Sequence, residues 1–83
     1  MGQSLMDKQT LVDRGLHARR LLEDELLVDC FARIEKDVFD EWKDTSVHNY
    51  DERTDLFLTL KCLERLKARL RAILDDGNIA SRS

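Results

Sequence analysis

Four carboxylates on one predicted helix are the first residues that could carry chemistry: Glu35, Asp37, Asp40 and Glu41. A carboxylate pair one helical turn apart could bind a cation through its oxygens. The surfaces of solvated helices carry such runs routinely, however, and no histidine or cysteine at ligand spacing accompanies this one. We therefore assign no metal site to these residues.

The histidines and cysteines are isolated from one another. His17 and His48 have no companions at metal-ligand spacing, and Cys30 and Cys62 do not form a CxxC pair. We predict buried, reduced thiols rather than a disulfide, because free cysteine is among the most buried residue types. With no nucleophile–base pair and no metal cluster, we predict a protein that is not an enzyme, with no catalytic, cofactor-binding or metal-binding residues.

A basic cluster lies towards the C-terminus, at Lys61, Arg65, Lys67, Arg69 and Arg71. It could bind phosphate, nucleic acid or an acidic protein. In an antiparallel pair of helices, however, it would lie beside an acidic group formed by Glu23, Asp24, Glu25 and Asp29. Charge complementarity within or between chains then explains the cluster without a ligand. No helix-turn-helix signature is present, so nucleic acid is a less favoured partner.

The apolar spacing predicts an all-α protein built on an antiparallel helical hairpin. Leu27, Phe31, Ile34, Val38 and Trp42 line one side of a helix over about residues 25–44, which Asp24 can cap. A second helix is predicted over about 50–76, with Asn49 and Glu52 as its capping box and Gly77 as its stop. The short polar connection between them favours antiparallel neighbours.

A shorter N-terminal helix completes a three-helix arrangement. Gly15 lies inside it and costs about 1 kcal/mol relative to alanine. The acidic stretch 23–25 is a plausible break, although a kinked continuation into the next helix stays open. We predict one all-α domain over residues 1–77 and a flexible tail over 78–83.

The apolar surface is wider than a single partner helix can cover. On the last helix it spans an arc of roughly 200°, against ~100° for an ordinary surface helix. Either the N-terminal helix packs across the hairpin as a three-helix bundle, or other copies cover it; we favour an oligomer. The predicted protein-interaction residues are Leu27, Phe31, Phe39, Trp42, Leu58, Leu66, Ile73, Arg65 and Arg69.

Composition and charge fit a helical protein. The chain has 83 residues, no proline and a net charge of −3, which disfavours general nucleic-acid binding. No apolar run approaches the ~20 residues of a membrane span, and residues 1–10 lack the layout of a signal peptide. We therefore expect no membrane partner.

The stretch from Ala18 to Gly77 carries a resemblance. It contains "ARRLLEDELL", an acidic helix that ends in "EWKDT", and "DERTDLFLTLKCLERLK". This pattern resembles small uncharacterised helical proteins encoded among the structural genes of tailed bacteriophages and prophages. The resemblance implies a virion component or assembly factor used in many copies, located in the virion or the bacterial host cytoplasm.

The expected function is therefore that of a non-enzymatic structural or assembly protein: a capsid, portal-proximal or internal virion component. It would act by self-association as a homo-oligomer, by contacts with other virion proteins, or by both. One alternative is a small phage regulatory protein that binds a host protein. A less favoured alternative is a DNA-packaging subunit that binds nucleic acid through Arg65 and Arg69.

Overall fold

The computed structural model describes residues 7–83 and contains three α-helices. They are α1 (Lys8–Glu23), α2 (Glu25–Asp44) and α3 (Tyr50–Ser81). Within residues 7–83 there is no β-strand, so the predicted all-α, three-helix arrangement is confirmed.

Polar side chains fix the starts of all three helices. The Asp24 carboxylate accepts a hydrogen bond from the Leu27 N–H at 2.9 Å, and Asn49 Oδ1 accepts one from the Glu52 N–H at 3.2 Å. Both caps were predicted, and each satisfies an N–H that has no partner within its helix. Asp7 caps α1 in the same way, through the N–H of Thr10.

Helices α1 and α2 follow one another along α3, and both run antiparallel to it. At the end opposite the interhelical turn, which we call the base, Lys8 donates to the Ser83 carbonyl. Near the turn, the Arg53 guanidinium lies over Trp42. Between α1 and α2, Asp24 has an extended backbone with φ −68° and ψ 120°, which confirms the predicted break. The molecule measures 53 × 29 × 18 Å, its long axis set by the 32 residues of α3.

The three-helix bundle is not the arrangement that the described residues adopt. Helix α1 packs mainly against the C-terminal part of α3 and makes few contacts with α2. It therefore lengthens the hairpin instead of covering it. The core is correspondingly small: the buried apolar side chains are Ala18, Phe31, Val38 and Ala80.

Along α3 the less exposed positions alternate at spacings of three and four. They include Arg53, Leu56, Leu60, Leu63, Lys67, Leu70, Leu74 and Gly77. This spacing is the seam of a coiled coil, in which a hydrophobic repeat of 3.5 residues faces the partner helix.

Glycines allow α1 and α3 to come close together. A Cβ atom added to Gly15 would lie 2.8 Å from the Gly77 Cα, and one added to Gly77 would lie 2.7 Å from the Gly15 Cα. The predicted end of the last helix at Asp76 is therefore wrong: Gly77 is a helical packing residue, and α3 continues to Ser81. Residues 78–81 are helical where a flexible tail was predicted.

The prediction of buried thiols is also wrong. Cys30 and Cys62 are both free and exposed. The hairpin is only two helices thick, so positions beside its seam stay open to solvent.

Candidate protein-interaction surface

One side of the hairpin combines exposed aromatic rings with open grooves. On α2 it is formed by a stripe of residues at alternating spacings of four and three: Val28, Ala32, Glu35, Phe39 and Trp42. On α3 it is formed by Phe57 and Arg71, which line the same grooves as the stripe. We call this side the front face.

Near the interhelical turn, the front face holds an apolar groove of about 240 Å³, which we call the aromatic groove. Its lining residues are Val38, Phe39, Trp42, Leu56, Phe57 and Leu60. Phe39, Trp42 and Phe57 remain 55%, 40% and 56% exposed. Rings this exposed on a folded chain mark a candidate binding surface, since contiguous apolar patches on monomers are often functional.

Cations hold the three rings in place. The Arg53 guanidinium lies 4.4 Å from the centroid of Trp42, and the Lys43 and Lys61 ammonium groups lie 5.2 and 5.7 Å from Phe39 and Phe57. Phe39 and Trp42 are stacked, with centroids 6.3 Å apart. Each such contact at an exposed ring is worth about 0.5–1 kcal/mol, and any conformational preference that it gives the ring reduces the entropy cost of binding.

A second groove, of about 230 Å³, lies nearer the base on the same face; we call it the small-residue groove. Leu22, Val28, Phe31, Ala32, Glu35, Lys67 and Arg71 line it. Lys67 crosses this groove, with its ammonium 2.8 Å from Glu35 Oε1 and 5.4 Å from the centroid of Phe31.

Within one chain the basic cluster does not pair with the predicted acidic group, and pairing between chains stays a prediction. Lys67 binds Glu35 instead of the acidic group at residues 23–29. Within residues 7–83, Arg65, Arg69 and Arg71 form no hydrogen bond or ion pair. Their charges are therefore available to a partner.

Two carboxyl groups have perturbed pKa values, both in solvent. The hydrogen bond from the Thr10 N–H lowers the pKa of Asp7 below its ordinary value of 3.8. A hydrogen bond from Lys36, 2.7 Å long, likewise lowers the pKa of Asp40. Both shifts favour the charged carboxylate, and neither carboxyl group lies in a cavity suited to acid–base catalysis.

The predicted interaction residues fall into two groups. Six are exposed: Phe39, Trp42, Leu58, Leu66, Arg65 and Arg69. Phe31, however, is only 7% exposed and belongs to the core of the hairpin. Leu27 is half-buried in the hairpin, and Ile73 is half-buried beside Leu11 and Arg14 of α1. The aromatic groove brings together only Phe39 and Trp42 from the predicted set.

Phe57, Val28, Ala32 and Arg71 were missing from the predicted set. The stripe from Val28 to Phe39 repeats the spacing of the apolar side from Leu27 to Val38 one residue further along α2, and the sequence shows this repeat. The sequence places Phe57 with Phe39 and Trp42 at the turn end of the hairpin, where core closure was the expected role; the structure shows the three rings exposed around one groove.

Residues 7–83 contain neither a metal-ligand cluster nor a membrane-spanning helix. In that range no group of three or more His, Cys, Asp or Glu side chains could hold a metal ion. None of the three helices over the same range is apolar enough along a sufficient length to cross a bilayer.

No protein-family model, curated protein or solved structure matches the chain.

Proposed function

We propose that this chain is a non-enzymatic structural or assembly protein that self-associates through the front face of its hairpin. The observation that carries the proposal is the exposure of Phe39, Trp42 and Phe57 around one apolar groove. The resemblance of residues 18–77 to phage-encoded helical proteins supports the virion setting, as a capsid, portal-proximal or internal component.

The exposed rings represent enough apolar area to drive association. A fully buried aromatic side chain removes about 200 Å² from water, so a half-exposed ring has about 100 Å² left to bury. Three rings from each of two copies would gain on the order of 15 kcal/mol at 25 cal/mol per Å². Association costs on the order of 4–15 kcal/mol in lost freedom, which leaves room for a weak to moderate affinity.

A weak to moderate affinity between copies suits an assembly protein because each particle contains many such contacts. A component present in many copies gains avidity from repeated weak contacts. Charged residues around the rings would set register and reject incorrect partners.

Sedimentation velocity on two matched variants tests the proposal. Phe39→Ala and Leu26→Ala each truncate an exposed apolar side chain of α2, but Leu26, 73% exposed, lines neither groove. We expect Phe39→Ala to weaken self-association at least tenfold and Leu26→Ala to leave it near the native value. Equal effects of the two variants would contradict the proposal.

Binding to a single host protein is the second candidate function. The Arg53–Trp42 pair favours it, since Trp and Arg are enriched at the energetic centres of interfaces. A protein that stays monomeric at every concentration and captures one partner through Trp42 would support this alternative.

A further inference from the structure

The two grooves of the front face differ in a complementary way. The aromatic groove near the turn is rimmed by the large side chains Phe39, Trp42 and Phe57. The small-residue groove nearer the base is open where Val28 and Ala32 provide little bulk. Large side chains facing small ones is the pattern by which packed layers interdigitate.

The α2 stripe is close to symmetric about Glu35. Trp42 and Val28 lie seven residues on either side of it, and Phe39 and Ala32 lie four and three residues away. If two copies met front to front in opposite directions, with a two-fold axis near Glu35, Trp42 would face Val28 of the second copy. Phe39 would face Ala32 of the second copy.

The charges are arranged for the same pairing. Residues 38–60 carry six acidic and two basic side chains, and residues 61–71 carry five basic and one acidic. Along α3, an antiparallel pair brings the acidic residues Asp51, Glu52 and Asp55 of each copy towards the basic part of α3 of the other. On α2 the same register places Glu41 opposite Asp29, so the charge complementarity comes from α3. Arg71, which has no ion pair within residues 7–83, would lie opposite Phe57 of the second copy and could stack on its ring.

We propose that the occupant of the front face is a second copy of this chain, docked antiparallel about a two-fold axis near Glu35. Each small-residue groove receives Phe39 and Trp42 of the other copy. This inference rests on the proposed function, because it specifies how the self-association occurs. The contact is isologous: the same patch serves both copies.

The face is large enough for a stable dimer. With the axis near Glu35, the copies overlap over about residues 25–44 of α2, roughly 30 Å at 1.5 Å per residue; across the 29 Å width this is about 870 Å², close to the ~800 Å² per partner of a standard interface. The Glu35–Lys67 ion pair lies at the two-fold axis, and the apolar parts of the interface lie on either side of it.

Filling the small-residue groove tests the docking mode. Ala32 and Ala72 are both exposed alanines on helices, but only Ala32 lines the groove. We expect Ala32→Trp to raise the dissociation constant of the dimer at least tenfold, and Ala72→Trp to change it less than threefold. Sedimentation velocity on each full-length variant measures both values, and circular dichroism verifies the fold.

Cross-linking tests the direction of pairing, in a background where the exposed Cys30 and Cys62 are replaced by serine. Glu35→Cys should form an intermolecular disulfide under mild oxidation, because residue 35 lies on the axis. Val28→Cys should not, because the two copies of residue 28 would lie about 21 Å apart, against the ~5–7 Å between Cα atoms that a disulfide needs.

The outcomes separate this inference from the proposed function. A native protein that stays at 9.7 kDa at all concentrations overturns both. A native protein that associates, while Ala32→Trp associates equally well, overturns only the docking mode. Association with efficient cross-linking at residue 28, or with none at residue 35, overturns the antiparallel arrangement.

Discussion

At the residue scale, Gly15 and Gly77 position α1 because neither carries a side chain. An added Cβ on Gly15 would meet the Gly77 Cα at 2.8 Å, and one on Gly77 would meet the Leu11 carbonyl oxygen at 2.9 Å. These neighbours are backbone atoms, which cannot move away as a flexible side chain could. The two helices must separate to accept either methyl group.

We predict that Gly15→Ala and Gly77→Ala each destabilise the protein, by about 1–2 kcal/mol net. Alanine gains about 1 kcal/mol in helix propensity, but overpacking costs more where the neighbour is backbone. In urea unfolding followed by circular dichroism, the midpoint should fall for both variants.

Ala72→Gly measures the contribution of helix propensity alone to stability, since Ala72 is exposed on α3. That variant should lose about 1 kcal/mol through propensity alone. A Gly15→Ala protein more stable than the native one would show that α1 does not pack against α3 at this contact.

The second prediction at this scale concerns acid stability. The folded pKa of Asp7 lies below its ordinary value of 3.8, so its stabilising effect is present above that pH. The effect is lost as the pH falls through the lowered folded pKa. Asp7→Asn keeps an oxygen that can cap α1 but cannot titrate.

Urea unfolding at about pH 6 and about pH 3 measures this effect. We expect the Asp7→Asn variant to lose less stability than the native protein between these two values. The Asp7→Asn variant keeps part of the acid sensitivity of the native protein, because it retains Asp40, whose pKa is lowered as well. Identical losses in the two proteins would contradict the role of Asp7.

At the scale of the elements, Asp24 ends one helix and begins the next. Its N–H donates to the Leu21 carbonyl at 3.3 Å, and its carboxylate accepts from the Leu27 N–H at 2.9 Å. The surrounding sequence contains no Gly or Pro, so the cap is the local feature that separates α1 from α2.

We predict that Asp24→Ala lowers the free energy of unfolding by about 1 kcal/mol, the usual cost of losing an N-cap. Asp24→Asn is the matched control, since asparagine caps equally well and should stay near the native value. Urea unfolding of both variants supplies the comparison. Equal stability of the alanine and asparagine variants would mean that the cap does not hold the break.

Sequence patterns predicted the elements where the determining interactions are local. The bounds of α2 and the start of α3 follow from caps and apolar spacing within a few residues. The end of α3 could not be predicted, because Gly77 serves equally as a helix stop or as a close-packing residue. Only Gly15, far away in the sequence, decides between the two. The grouping of Phe57 with Phe39 and Trp42 near the turn was predictable, but their exposure around an open groove was not, because it depends on how α2 and α3 pack.

At the scale of the whole molecule, shape determines the surface available to partners. Helices α1 and α2 lie beside α3 in a single layer 18 Å thick, and such a layer buries little of its own apolar surface. The accessible area is 6552 Å², against roughly 5,100 Å² for a compact monomer of this mass. Placing α1 at the end of the hairpin, instead of across it, leaves the front face uncovered.

The solution mass of the native protein, measured by light scattering across concentration and salt, is the first test of self-association through the front face. We expect a discrete species of at least twice 9.7 kDa that dissociates on dilution. A mass of 9.7 kDa throughout the accessible concentration range would contradict it, and would show that the exposed rings of the front face do not bind another copy.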